Sequence, residues 1–264
     1  MSSLLKRDDV AVVGMDVDIR SDSIIPGAEY IEANFTSSRV WEERLPYIPD
    51  VCLHLAWRNG FQHNNPTHMF DLSSHFAFLE QIMELGVPQI AVMGTMHEVG
   101  YWEGAVSDAT PCNPSSLYGI SKNALRESFL LRSAQRGIKA QWLRGYYITG
   151  DDIGSQSIFG KLMRADKKGD ALFPFTSGKN KYDFLDVTVL ADQIAATVTQ
   201  DRVLGIVNCC SGVPVSLGER VEMFIKDNNL SIRLDYGAYP DRPYDSPGIW
   251  GDATKIQEIM NLEV

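Results

Sequence analysis

What most constrains this chain is a regular exchange, through its first 150 residues, of short unbroken apolar runs for longer segments with helical period. Residues 10–15 (VAVVGM), 29–35, 51–56 and 89–93 are short strand candidates, the first rich in β-branched side chains. The first and last do not alternate with polar residues, the mark of strands buried on both faces. Residues 71–85 carry apolar side chains and His75 at three- and four-residue steps, and Gly86 and Pro88 stop that helix. A second long helix is predicted over 116–135, ending before Gly137, and an aromatic-rich strand over 139–148. Strand–helix alternation in series requires parallel pairing, with helices over both faces. The expected fold is therefore α/β, a doubly wound parallel sheet. Ligands of such sheets lie beyond the carboxyl ends of the strands. That rule singles out Asp16, Ala56, Trp57, Thr95 and the segment 146–152.

After Gly150 the texture changes to polar turns, an isolated helix at 158–168, short strands at 181–187 and 205–210, three prolines (Pro240, Pro243, Pro247) and a last helix at 253–260. The expected division is a cofactor-binding and catalytic region at 1–150 and a mostly substrate-binding lobe at 151–264. Strand 181–187 is expected to return toward the sheet.

The net charge of −10, without a lysine- or arginine-rich block, argues against nucleic acid as a partner. No apolar run reaches the roughly 18 residues of a membrane span, and residues 1–7 lack the pattern of a signal peptide. A cytoplasmic location is expected. Cys52, Cys112, Cys209 and Cys210 show no CxxC spacing and are expected to be reduced structural thiols. No metal site is expected either: His63 and His68 lack a second cluster and read as loop contacts. His54 reads as core, and His97 as a structural histidine with a pocket role as the alternative.

The chemistry is carried by Tyr118 and Lys122, four residues apart on one predicted helix and so on one face. A nearby ammonium favours phenolate and would lower the tyrosine's pKa, making it a general acid/base for carbinol–carbonyl interconversion. Thr95, just past a buried strand, offers a hydroxyl to the reacting oxygen.

These residues resemble a known family. Gly94 and Thr95 with Glu98, Val99 and Gly100, then PSSLYGISK at 114–122, look like the extended short-chain dehydrogenases, the NAD-dependent epimerase/dehydratase family of sugar-nucleotide enzymes. DVCLHLA at 50–56, LRGYYITG at 143–150, YDFLDV at 182–187, residues 208–212, and Arg242 with Asp252 and Lys255 extend the likeness over nearly the whole chain. The resemblance implies that Tyr118 is the acid/base, that Lys122 lowers its pKa and grips the nicotinamide ribose, and that Thr95 orients the substrate oxygen. It places Asp16, Asn34, Leu55, Ala56, Trp57, Lys122 and Tyr146 at the cofactor, and Thr95, Met96, His97, Tyr147 and Arg242 at a nucleotide-sugar substrate. Asp16 favours NAD, while the nearby Arg20 leaves NADP open. A homodimer built on the helices from Asp71 and Ser116 is also implied.

Two departures stand out. The family's first strand and glycine-rich turn have no counterpart, and Gly14 alone cannot form that fingerprint. Either the sequence begins inside a longer protein, which is the expectation, or this is a truncated relative with impaired cofactor binding. The strands at 10–15 and 51–56 would then pair directly or leave a gap. Met96 and His97 stand where family dehydratases carry acidic or polar residues, and Asp71 where the family usually has asparagine. The expected reaction is therefore reduction or epimerisation at C4 of a sugar nucleotide, not dehydration. The alternative is a sensor or scaffold that binds a nucleotide sugar without turnover.

Overall fold

A computed structural model describes residues 1–21, 24–36, 39–150, 154–241 and 245–262. Chain order begins with β1 (Val13–Asp16), β2 (Glu29–Glu32), a 3-10 turn at Arg39–Arg44, β3 (Val51–His54), α1 (Thr67–Leu85), β4 (Gln89–Thr95), β5 (Gly104–Val106), α2 (Leu117–Arg136), β6 (Lys139–Gly145) and β7 (Tyr147–Thr149). It continues with α3 (Ile158–Lys168), β8 (Leu172–Pro174), β9 (Lys181–Asp186), α4 (Val187–Val198), β10 (Gly205–Cys209), β11 (Pro214–Ser216), α5 (Leu217–Asp227), β12 (Arg233–Asp235), β13 (Gly248–Gly251) and α6 (Thr254–Asn261).

The main sheet is parallel and runs β10-β6-β4-β3. Its register aligns Thr95 with Gly145, and Gly145 with Cys209, so β4, β6 and β10 finish together along one edge. Six of the seven β4 residues are buried, as its unalternating sequence requires. Helices α1 and α2 cover one face. Phe78, Leu79, Ile82, Leu125 and Phe129 meet Ile90, Val92 and Trp142 in one apolar cluster. Each helix stops at a glycine in the left-handed region, Gly86 (φ 92°) and Gly137 (φ 68°). Glu80 on α1 accepts a bidentate pair from Arg132 and a further bond from Arg136 on α2.

Three expectations are corrected. The strand at 181–186 does not return to the main sheet; it joins a second one, β11-β9-β13-β5, and the strand that returns is β10. The helix at 158–168 is not isolated, because α4 and α5 accompany it. Helix α4 is rich in Val and Thr, which lowers its intrinsic helix tendency. It forms because Asp186 caps its first turn, accepting from the Thr188 amide at 2.8 Å, and because Leu190, Ala195, Ala196 and Val198 are buried. The aromatic strand at 139–148 divides at Tyr146 into β6, which stays in the main sheet, and β7, which pairs with β9.

Strands β1 and β3 do not pair. The parallel pair β1–β2 is a sheet of its own, separate from β3. Of the two arrangements expected for a chain without the family's first strand, the structure has the gap.

Candidate active site

Strand β4 delivers Thr95 to the carboxyl edge, and a single 3-10 turn at Met96–Glu98 follows at once. Thr95 caps that turn, its hydroxyl accepting from the His97 amide at 3.3 Å, while the Glu98 carboxylate accepts the Thr95 amide hydrogen at 2.7 Å. This is a complete capping box. Glu98 is fully buried. It also accepts from the Trp142 indole at 2.8 Å, and its second oxygen lies 3.4 Å from Arg126 Nε and 3.5 Å from Arg144 Nη2. Gly94 lets this cluster form: a Cβ there would stand 2.1 Å from Trp142 Nε1 and 2.6 Å from the Glu98 carboxylate.

Helix α2 brings Tyr118 and Lys122 to the same place. Ser116 caps it, accepting from the Gly119 amide at 3.2 Å. Gly119 is required for contact with the turn, since a Cβ there would lie 2.3 Å from the His97 carbonyl oxygen. Thr95 lies beside the Tyr118 phenol and draws its pKa down. The Lys122 ammonium donates to the Met93 carbonyl at 2.7 Å and sits 3.9 Å from the centroid of the Trp57 ring.

Around Tyr118 the fold gathers histidines from three segments. The His63 ring stacks on the phenol ring at 5.5 Å and 17°, the His68 ring lies 5.2 Å away and the His97 ring 5.9 Å away; His63 and His97 are 4.2 Å apart. The His63 carbonyl also accepts the Tyr118 amide hydrogen at 2.8 Å. Behind Trp57 lie His75, stacked at 4.3 Å, and His54, whose Nε2 is 2.9 Å from His75 Nδ1.

Burial dominates the electrostatics. It lowers His75 and His97 to about 4 and His54 well below its ordinary value, so these rings are neutral near pH 7. Burial lowers Lys122 to about 7, against a smaller opposing pull from Glu98. Tyr118 is raised by burial, with Thr95 drawing it back down and the Glu98 charge adding to the rise. The expected depression of the phenol's pKa by Lys122 is thus corrected: burial raises it, and Lys122 is not among the groups that act on it.

The structure brings together Thr95, His97, Tyr118, Lys122 and Trp57. Leu55 and Ala56 are exposed just beyond β3 at the same edge. Asp16 and Asn34 are exposed at the ends of β1 and β2, where Asp16 accepts from the Val17 amide and Asn34 from Thr36. Met96 is buried in the core below. Tyr146 is buried with its hydroxyl donating to Asn208 at 3.2 Å, and Tyr147 packs 4.4 Å from Tyr182. Arg242, like 151–152, lies outside the described residues. His63 and His68 make the loop contacts expected of them, with Gly60 and with the Gln62 carbonyl, and their rings also face the phenol. No sequence spacing announces this, because His63 reaches Tyr118 from the loop before α1 and His68 from the first turn of α1. Among the described residues no group of three or more acidic, histidine or cysteine side chains could hold a metal ion, and no helix is long and apolar enough to cross a membrane.

The model of the NAD dependent epimerase/dehydratase family matches residues 1–210. A curated relative, dTDP-6-deoxy-L-talose 4-dehydrogenase (NAD(+)) of Aggregatibacter actinomycetemcomitans, is 43% identical over 231 residues, 87% of this chain and 85% of the relative. The fold is similar to UDP-glucuronic acid 4-epimerase of Bacillus cereus in complex with UDP-glucuronic acid and NAD (TM-score 0.79, 18% identity, 98% of this chain and 88% of that one). It is also similar to UDP-glucose 4-epimerase of Thermus thermophilus in complex with NAD (TM-score 0.80, 17% identity, 97% and 87%). The chain belongs to the NAD dependent epimerase/dehydratase family, and NAD is the cofactor that membership assigns to it. The residues present fit the nucleoside parts of that group. Lys122 uses one of its three donors on Met93, which leaves N–H groups for ribose hydroxyls, and the exposed Asp16 carboxylate suits a second ribose. A glycine-rich cradle for the pyrophosphate has no counterpart among the described residues.

Proposed function

We propose that this chain interconverts the C4 carbinol and ketone of a deoxythymidine diphosphate-linked 6-deoxyhexose, with Tyr118 exchanging the proton of the C4 oxygen. The observation that carries this reading is the Tyr118 phenol set beside Thr95 at the carboxyl edge of the sheet, in a site walled by neutral imidazoles. The 43% identical relative supports the class of sugar and the position oxidised. NAD, when bound, supplies the hydride acceptor. Thr95 hydrogen-bonds the C4 oxygen. Tyr118 takes up its proton as the carbonyl forms and returns it in reduction. A phenol raised by burial is protonated near pH 7, ready to donate. Acting as base it needs a positive charge beside it, and Lys122 one helical turn away is the group suited to supply it.

Met96 and His97 do not suit elimination of water. A thioether carries no proton, and an imidazole with a pKa of about 4 is a poor acid near pH 7. The enzyme is read as a homodimer through α1 and α2, on which Phe70 and Leu131 are exposed. The test is incubation with NAD and dTDP-linked 6-deoxyhexoses, following NADH and product. Ketone with equimolar NADH supports the reading. Inverted C4 configuration without net NADH would indicate an epimerase, loss of water a dehydratase, and binding without turnover a sensor.

A further inference from the structure

Trp57 follows β3 by three residues, and its ring meets His75, His68 and Lys122. One face stacks on His75 at 4.3 Å and 16°. Its indole nitrogen donates to His68 Nδ1 at 3.0 Å. An Nδ1 that accepts leaves the proton on Nε2, which lies 3.0 Å from the Gln62 carbonyl and donates to it. The Lys122 ammonium rests 3.9 Å from the centroid of the same ring. Lys122 is only 3% exposed, and Met93 supplies one acceptor for three N–H donors. A buried ammonium with so few acceptors needs another source of negative potential, and the face of an indole provides it.

We propose that Trp57 is a positioning residue for Lys122. Its indole face fixes the ammonium, and through His68 it ties the lysine to the loop before α1. That loop also seats Tyr118, since the His63 carbonyl accepts the Tyr118 amide hydrogen. Loop, indole, lysine and phenol therefore move as one unit.

The other groups facing Lys122 do not substitute for the indole. His54 on β3 and His75 on α1 are neutral rings that supply no negative charge, and Asp71 and Arg58 act on His75 with opposite signs. Glu98, beyond β4, favours the charge but spends its hydrogen bonds on Thr95 and Trp142. Tyr118 shares the helix and bears no charge while protonated.

The consequence for turnover rests on reading Lys122 as the partner of Tyr118; the contact itself does not, so the two can fail separately. The test is NMR of the cofactor-free chain, with the Lys122 amine titrated by its 15N shift. In the unsubstituted protein the Lys122 side-chain protons nearest the amine are displaced upfield by the indole ring current. Trp57→Leu lowers the titration midpoint by about one pH unit, Trp57→Phe retains most of it, and His68→Ala gives an intermediate fall. Unshifted methylene protons, or one midpoint in all folded variants, would overturn the proposal. The ring-current shift needs no variant, so a misfolded substitution does not decide the matter. If the midpoints move while the pH profile of turnover does not, the contact stands and the reading of Lys122 fails.

Discussion

The Glu98 carboxylate accepts the amide hydrogen of Thr95 at 2.7 Å, so the hydroxyl that serves the phenol is anchored to a buried ion cluster. The anchor is electrostatically demanding, because the same carboxylate compensates the buried Arg126 and Arg144 guanidiniums at 3.4 and 3.5 Å. Removing one partner of a buried pair leaves the other charge uncompensated, at a cost of about 3–5 kcal/mol. Glu98→Ala is therefore expected to lower unfolding free energy in urea by about that amount. Glu98→Gln should retain the acceptor for Thr95 but still destabilise, through the loss of charge. A change below about 1 kcal/mol in the alanine variant would contradict the assignment.

Three histidines predict acid lability. His75 and His97 titrate near 4 in the folded chain and burial holds His54 well below its ordinary value, while in the unfolded chain each titrates near 6.5. Between pH 6.5 and about 4 the unfolded state binds more protons, so stability is fully present above 6.5 and falls as the pH drops. Each ring contributes at most about 1.4 kcal/mol per pH unit. His75→Phe should flatten the fall in unfolding free energy across this window. An unchanged slope would show that His75 is protonated when folded.

Phe70 is 73% exposed and Leu131 59%, on the two helices that cover one face of the main sheet. If two copies meet there, Phe70→Glu with Leu131→Glu places charge in an apolar interface. Sedimentation velocity should then show the unsubstituted chain at twice the mass of the double variant, with the thermal midpoint of the remaining monomer measured alongside. Equal masses would exclude this interface.

Asp16, exposed at the end of β1, is predicted to choose between cofactors. A carboxylate hydrogen-bonded to ribose hydroxyls repels the 2′-phosphate of NADP. Asp16→Ser should weaken NAD about tenfold and narrow the preference over NADP, both read from kcat/KM. Unchanged preference would move that role elsewhere.

Much of the fold was legible because β4, α1 and α2 carry local signals that agree with their burial: an unalternating run, a helical period, and Gly86 and Gly137 as stops. Helix α4 was hidden because Val187, Thr188 and Val189 favour strands when taken alone, and packing decides otherwise. Helix α5 did carry a signal, Ser216 followed by Glu219 at cap spacing, inside a stretch whose polarity suggested turns. In the site, Thr95, Tyr118 and Lys122 were readable as residue types at fixed spacings. The ring contacts that Trp57, His63 and His68 make with Lys122 and Tyr118 were not, since a stack formed by the packing of loops leaves no periodic trace. The balance of pKa values was hidden for a related reason. Four-residue spacing promises a charge beside the phenol, but only the fold reveals that burial opposes it.

The most direct measurement is the rate of NADH formation by Tyr118→Phe with a saturating dTDP-linked 6-deoxyhexose, alongside calorimetric binding of that sugar nucleotide. Loss of the phenolic proton is expected to lower kcat by about 10²–10⁴-fold with sugar-nucleotide affinity unchanged. A folded Tyr118→Phe enzyme that turns over within about threefold of the unsubstituted chain would contradict the account.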